Sequence, residues 1–194
     1  MNHITWDFEH IYNQVTTDKF LSMQALGGET PFFIYSYDVA KEASVEDEIA
    51  RLIKRIHLLN KSVLVINLYA LSLEILEERG LLEKIIQKEP SMPKHKLLQT
   101  LQNILDSETK LIPKIQEQVN ASTSDLVFIH GVGRVFPFIR SHTVLNNLQK
   151  AIVDRPTLMF FPGVYTGQKL RLFGKLEDDN YYRAFNISKY QLQG

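Results

Sequence analysis

Apolar residues along this chain fall into two rhythms, short unbroken runs and longer stretches with a helical repeat. The runs are P-F-F-I-Y-S-Y over 31–37, S-V-L-V-I-N-L over 62–68, Ser124 to His130, and Thr157 to Phe161. Runs this short, rich in β-branched and aromatic residues and closed by polar residues, Gly or Pro, predict buried strands. Between them the period changes. Phe8, Ile11, Tyr12, Val15, Phe20, Leu21 and Leu26 recur at helical spacing over 5–26, up to Gly27-Gly28. Ile49, Leu52, Ile53, Ile56 and Leu59 form a second stripe opposite Arg51, Lys54 and Arg55, with Ser44 as the expected N-cap. A third helix is predicted over about 70–79, closed by Gly80. Pro137 or Phe138 opens another, whose core face is Ile139, Val144, Leu145, Leu148 and Ile152. Residues 81–120 form helices separated by Pro90, Pro93 and Pro113, with Leu97, Leu98, Leu101, Ile104 and Leu105 as their stripe.

Strands alternating with helices predict an α/β fold, a mainly parallel open sheet with helices on both faces. Near the end, Leu170–Phe173 and Tyr182–Ile187 flank the polar turn Lys175–Asn180. That pattern predicts a C-terminal antiparallel hairpin on a sheet edge. The expected organisation is a single α/β domain over 1–194, with an N-terminal helical segment over 1–28 and a helical insert over 81–120.

Composition narrows the function classes. With 194 residues, 44% of them hydrophobic, the chain can bury a full core without staples. Its 22 basic residues balance 22 acidic ones. A neutral chain has no general pull toward polyanions, so direct DNA binding would need a local basic patch. Neutrality also removes a guard against association, which leaves room for a protein partner or a homo-oligomer. There is no Cys, which excludes disulfides, a zinc ribbon and a thiol nucleophile. The first ten residues have neither a basic segment nor an apolar one, so no secretion signal is expected. All apolar runs fall far short of a membrane span, and a cytoplasmic location is expected.

In open sheets of this kind, ligands and partners meet the carboxyl ends of the strands. Ser36, Tyr37 and Asp38 should arrive there after the first strand, and Asn67 and Tyr69 after the second. His130, Gly131, Gly133 and Arg134 follow the third, and Pro162, Gly163 and Tyr165 the fourth. Gly131-Val-Gly133 sits where a phosphate loop would. However, the dinucleotide fingerprint needs a third glycine where Phe136 stands, and no P-loop motif occurs. Arg134, Arg140, His142 and Arg183 offer an anion contact, unless they pair with Glu177, Asp178 or Asp179. His130, His142 and Asp38 could meet near the exits, but none of the six histidines has metal-ligand spacing. There is no G-x-S-x-G elbow. The residues therefore supply no catalytic set and call for no cofactor or metal. Pro162-Gly163 and Thr166-Gly167 predict two tight turns around a rigid aromatic loop, which suits recognition.

Three segments carry a resemblance. The run G-V-G-R-V-F-P-F-I-R-S-H, then F-F-P-G-V-Y-T-G-Q-K-L-R-L-F-G, then D-N-Y-Y-R-A-F, is similar to the BrxB family of the bacteriophage exclusion (BREX) systems. P-F-F-I-Y-S-Y-D and V-L-V-I-N-L-Y fit the same pattern. The resemblance covers nearly the whole chain and is densest over 126–187. It implies a small core component of an anti-phage system that also encodes a DNA methyltransferase, a large AAA+ ATPase and a PglZ protein of alkaline-phosphatase type. It further implies an adaptor or scaffold without catalysis, whose partners are other BREX proteins and above all the PglZ-like one. The alternative left open by the residues is a degenerate nucleotide- or nucleic-acid-binding α/β domain.

Overall fold

The computed structural model describes residues 3–24, 30–139, 141–177 and 182–191. In chain order the elements begin with α1 (His3–Val15), α2 (Asp18–Leu21), β1 (Phe32–Tyr37), α3 (Glu42–His57), β2 (Val63–Asn67) and α4 (Leu68–Glu78). Next come α5 (Leu82–Lys88), α6 (Lys94–Ile104), α7 (Ile112–Ala121), β3 (Leu126–His130), α8 (Ser141–Ala151) and β4 (Thr157–Tyr165). The short strands β5 (Leu170–Leu172), β6 (Leu176–Glu177) and β7 (Phe185–Asn186) close the chain.

The fold is α/β. Strands β2, β3, β4, β1 and β7 lie side by side in that order, each pair parallel. Successive side chains leave opposite faces of a strand, so each strand feeds two cores. Phe33, Tyr35, Phe128 and Phe160 pack with Phe8 and Ile11 of α1 and with Ile49 and Leu52 of α3. Phe32, Ile34, Ile129 and Phe161 pack with Leu71 and Ile75 of α4, Ile115 of α7, and Leu145 and Leu148 of α8. Burial on both faces is why these strands read as unbroken apolar runs rather than alternating ones.

Helix boundaries follow local chemistry that periodicity does not carry. The single helix expected over 5–26 is two. Thr16 and Thr17 turn their hydroxyls onto the carbonyls of Tyr12 and Gln14, α1 ends, and Thr17 then caps α2. Gly27 and Gly28 lie outside the described residues. The next helix starts ahead of Ser44, because Asp38 caps a single 3-10 turn (Val39–Lys41) that runs straight into α3. Helix α4 closes as expected at Gly80, where φ is +62°. The Leu81 N–H donates to Leu76 O and the Gly80 N–H to Glu77 O, the paired bonds of a Schellman motif. Pro113 does not separate helices but sits in the first turn of α7, behind a π turn over Ser107–Leu111. Residues 132–138 form consecutive turns with a cis Phe136–Pro137 peptide, so α8 begins only at Ser141.

The C-terminal pairing differs from the expected one. β5 pairs antiparallel with the end of β4 and with β6, through a turn at Phe173–Gly174 where both residues have positive φ. Residues 182–187 do not complete that hairpin; Phe185–Asn186 add parallel to β1 instead. Tyr182 is buried in one core and Ile187 in the other. A segment flanking the free side of β1 can supply both faces at once.

Candidate functional site

The carboxyl ends of β1, β3 and β4 converge with the first turn of α3. Connections leave β1 and β3 toward opposite faces of the sheet, which opens a crevice between them. Here Arg134 donates from Nη2 to Glu46 Oε2 at 2.6 Å. The other oxygen of Glu46 lies 4.0 Å from His130 Nδ1. That nitrogen is buried and has no hydrogen-bond partner. Burial lowers the His130 pKa from its ordinary value, Glu46 works in the opposite direction, and Arg134 adds to the lowering. The imidazole is therefore neutral at pH 7. Alongside, the Tyr37 hydroxyl donates to Glu42 at 2.7 Å, and burial pushes its pKa well up, so it stays protonated.

Several residues expected at the exits are there for structural reasons. Asn67 Oδ1 accepts from the Tyr69 and Ala70 N–H groups at 3.0 and 3.2 Å, capping α4. Asp38 accepts from Ala40 N–H at 2.9 Å and remains exposed. Gly131 has φ +77°, and a Cβ there would lie 2.6 Å from Asn67 Oδ1. The glycine thus permits a left-handed exit pressed against the neighbouring cap. A Cβ at Gly133 would meet Pro162 Cγ at 2.9 Å.

The loop expected at 162–165 is strand. β4 continues through Pro162, which pairs with Tyr37 at the end of β1, and Gly163 pairs with Leu172. Pro162 stands where pairing with β1 ends and pairing with β5 begins, so its missing N–H costs no ladder bond. A Cβ at Gly163 would collide with the Arg171 carbonyl. Tyr165 is not at an exit surface either. It is buried, and its hydroxyl donates to Ala184 O at 2.7 Å, tying the C-terminal segment to the core. Arg183 is exposed but lies away from this group. The parallel register Phe33↔Phe185 sets it toward the amino end of β1, opposite Asp38. Arg140 falls outside the described residues. His142 lies in the first turn of α8, with its side chain outside the described set.

The sheet therefore gathers Asp38, His130, Gly131, Gly133, Arg134, Pro162 and Gly163, and sequence reasoning missed their neighbours. Asp38, Val39, Gly163, Val164, Phe173 and Gly174 line a pocket of about 270 Å³. Val39 and Val164 at its rim are 42% and 45% exposed, and Phe136, edge-to-face on Phe173, is also exposed. Glu46 carried a signal in the sequence: a helix that follows β1 starts at the crevice, so its first turns face it. No group of His, Asp and Glu among the described residues could hold a metal ion. None of the described helices is long and apolar enough to cross a membrane.

Comparison with known proteins adds a family. The model of a family described as "BREX protein BrxB" matches residues 64–187. A "BREX protein BrxB" from Bacillus cereus (strain H3081.97) is 40% identical over 193 residues, covering 96% of this chain and 98% of that protein. A "BREX protein BrxB" from Escherichia coli O9:H4 (strain HS) is 28% identical over 184 residues, covering 95% and 91%. No solved structure matches the chain.

Proposed function

The chain belongs to the BrxB family of BREX proteins, and from that membership we propose that it is a non-catalytic adaptor within a BREX defence system, docking onto another BREX protein through the crevice at the strand exits. The partner in this reading is the PglZ-like component. One observation carries it: the rim of the exit pocket is apolar and uncovered, while Arg134, Glu46, Asn67 and Asp38 beside it are already engaged. Val39, Phe136 and Val164 present side chains that a partner can bury. Arg134 and Glu46 neutralise each other, and Asn67 and Asp38 are consumed as caps. A pocket with fixed walls and an apolar rim suits an inserted side chain from a protein.

A nucleotide-binding reading has less support. No helix N-terminus follows Gly131, since residues 132–138 form turns, and the nearby guanidinium is tied to Glu46. We also take residues 1–194 to fold as one domain, because both apolar cores share a single sheet.

Co-purification of the tagged protein with its BREX complement, with masses measured in solution, tests the adaptor reading. A stoichiometric complex with the PglZ-like protein is expected. A protein that captures none of the complement would overturn it.

A further inference from the structure

β2 is the outermost strand on its side of the sheet, and among the described residues it pairs with β3 alone. Exposed edges are usually guarded by Lys, Pro or a bulge. The stretch V-L-V-I-N has none of these. Ser62 O accepts from the Asp125 N–H of the β3 side, so alternation along the strand turns the N–H and C=O of Val63 and Val65 outward. Val65 is 37% exposed, and Val63 and Leu64 are only half-buried.

Both flanking helices leave this edge open. In α3 the buried row is Val45, Ile49, Leu52 and Ile56, and Arg55 turns to Glu9 of α1. At 100° per residue, the opposite flank, with Ala50, Ile53 and His57, runs along the edge. On the other face Glu74 and Glu78 of α4 turn to Lys114 of α7. The remaining flank, with Tyr69 and Leu73, therefore also borders β2.

We propose that this edge receives a second copy of the chain, with the two β2 strands pairing antiparallel about a two-fold axis at Val65 and the two sheets becoming one. Self-pairing about Val65 sets Leu64 opposite Ile66 and Val65 opposite itself, so apolar side chains meet on both faces. Charge complementarity singles out a second copy as the occupant. Glu46, Glu48, Arg51 and Arg55 of α3 are already in ion pairs within the chain, which leaves Asp47 in its first half and Lys54 in its second. The two-fold axis runs two such helices antiparallel, so Asp47 of one copy lies toward the end of the other copy's α3 that carries Lys54. Both are exposed. The neutral chain adds no net repulsion between copies. This edge is separate from the exit pocket, so the inference does not depend on the adaptor reading.

Sedimentation equilibrium of the purified full chain over a dilution series tests it. A monomer–dimer equilibrium is expected. Val65→Lys puts two cations opposite each other at the axis and should weaken the dimer at least about tenfold, with the fold intact by circular dichroism. Lys54→Asp should also weaken it, and adding Asp47→Lys should restore it. A wild-type chain monomeric at every concentration overturns the proposal, as does a dimer that Val65→Lys leaves unchanged. A monomer in which Val65→Lys abolishes capture of the PglZ-like protein would assign the edge to a foreign strand, and also overturns it.

Discussion

Replacing Val39 and Val164 by Ser strips the apolar rim of the exit pocket. The two residues are 42% and 45% exposed in the free chain, so the surface still available for burial amounts to a little less than one whole valine. Burying one valine is worth about 1.5–3 kcal/mol, so the double variant should lose about 2 kcal/mol of binding, roughly thirtyfold in Kd. The free protein should also lose stability, on the order of 2 kcal/mol, because a little more than half of each valine is already buried there. Val164 lies in a strand, and its lower β preference as Ser adds no more than about 1 kcal/mol to that loss. Titration calorimetry against the PglZ-like protein reads the affinity, and thermal melts of the same samples read the fold. A Kd within about threefold of wild type, with the variant still folded at the assay temperature, would refute docking at the exit pocket. Val65→Lys is the matching control, since a change at the β2 edge should leave this Kd alone.

Two further outcomes test how the site is built. Tyr165→Phe removes the hydroxyl that donates to Ala184 O at 2.7 Å inside the core. It should cost about 1.5 kcal/mol, a Tm lower by roughly 3–6 °C, and an unchanged melt would show that the bond does not anchor the C-terminal segment. His130 has a folded pKa depressed below its ordinary 6.5, chiefly by burial, with Glu46 and Arg134 facing it. The unfolded chain therefore binds the proton first; the contribution to stability is fully present above pH 6.5 and is lost as pH falls through that value toward the folded pKa. Urea unfolding at neutral and mildly acidic pH should show this loss, and His130→Gln should flatten it. An equal loss in the variant would mean the histidine is not its source.

The strands and the parallel sheet were legible because burial on both faces writes unbroken apolar runs into the sequence, as in β1 and β3. Helix ends were less so. Asn67 and Asp38 drew notice as polar residues at strand exits, and they are caps; a cap and a ligand contact look alike until the following N–H groups are placed. Tyr165 follows a Pro-Gly pair, a pattern that reads as a loop. Whether that pair turns the chain or lets two strands approach closely depends on where Arg171 and Phe173, at the next strand, fold back. The pairing of residues 182–187 was hidden for a related reason. Nothing in those residues distinguishes a hairpin partner from a strand that adds parallel to β1 across the molecule. The rim of the pocket is spread over the turn after β1, over β4 and over the turn after β5, so no local motif could have announced it.

The two surfaces have consequences together that neither has alone. The exit pocket lies at the carboxyl ends of β1 and β4, whereas the β2 edge is separated from β1 by β3 and β4. A dimer joined at β2 leaves both pockets free and, by the two-fold symmetry, presents them as a pair. A partner that is itself paired, or two partners in one assembly, would then be held at an effective concentration set by a continuous sheet rather than by a flexible linker. Modest burial at each rim, about 2 kcal/mol by the reckoning above, suffices in such an arrangement. A change at Val65 would then leave the affinity of one pocket for one partner intact while weakening retention of the whole complex under dilution. Changes at Val39 and Val164 would lower both. Measuring single-site affinity and complex lifetime on the same variants separates an adaptor that works as a monomer from one that works as a pair.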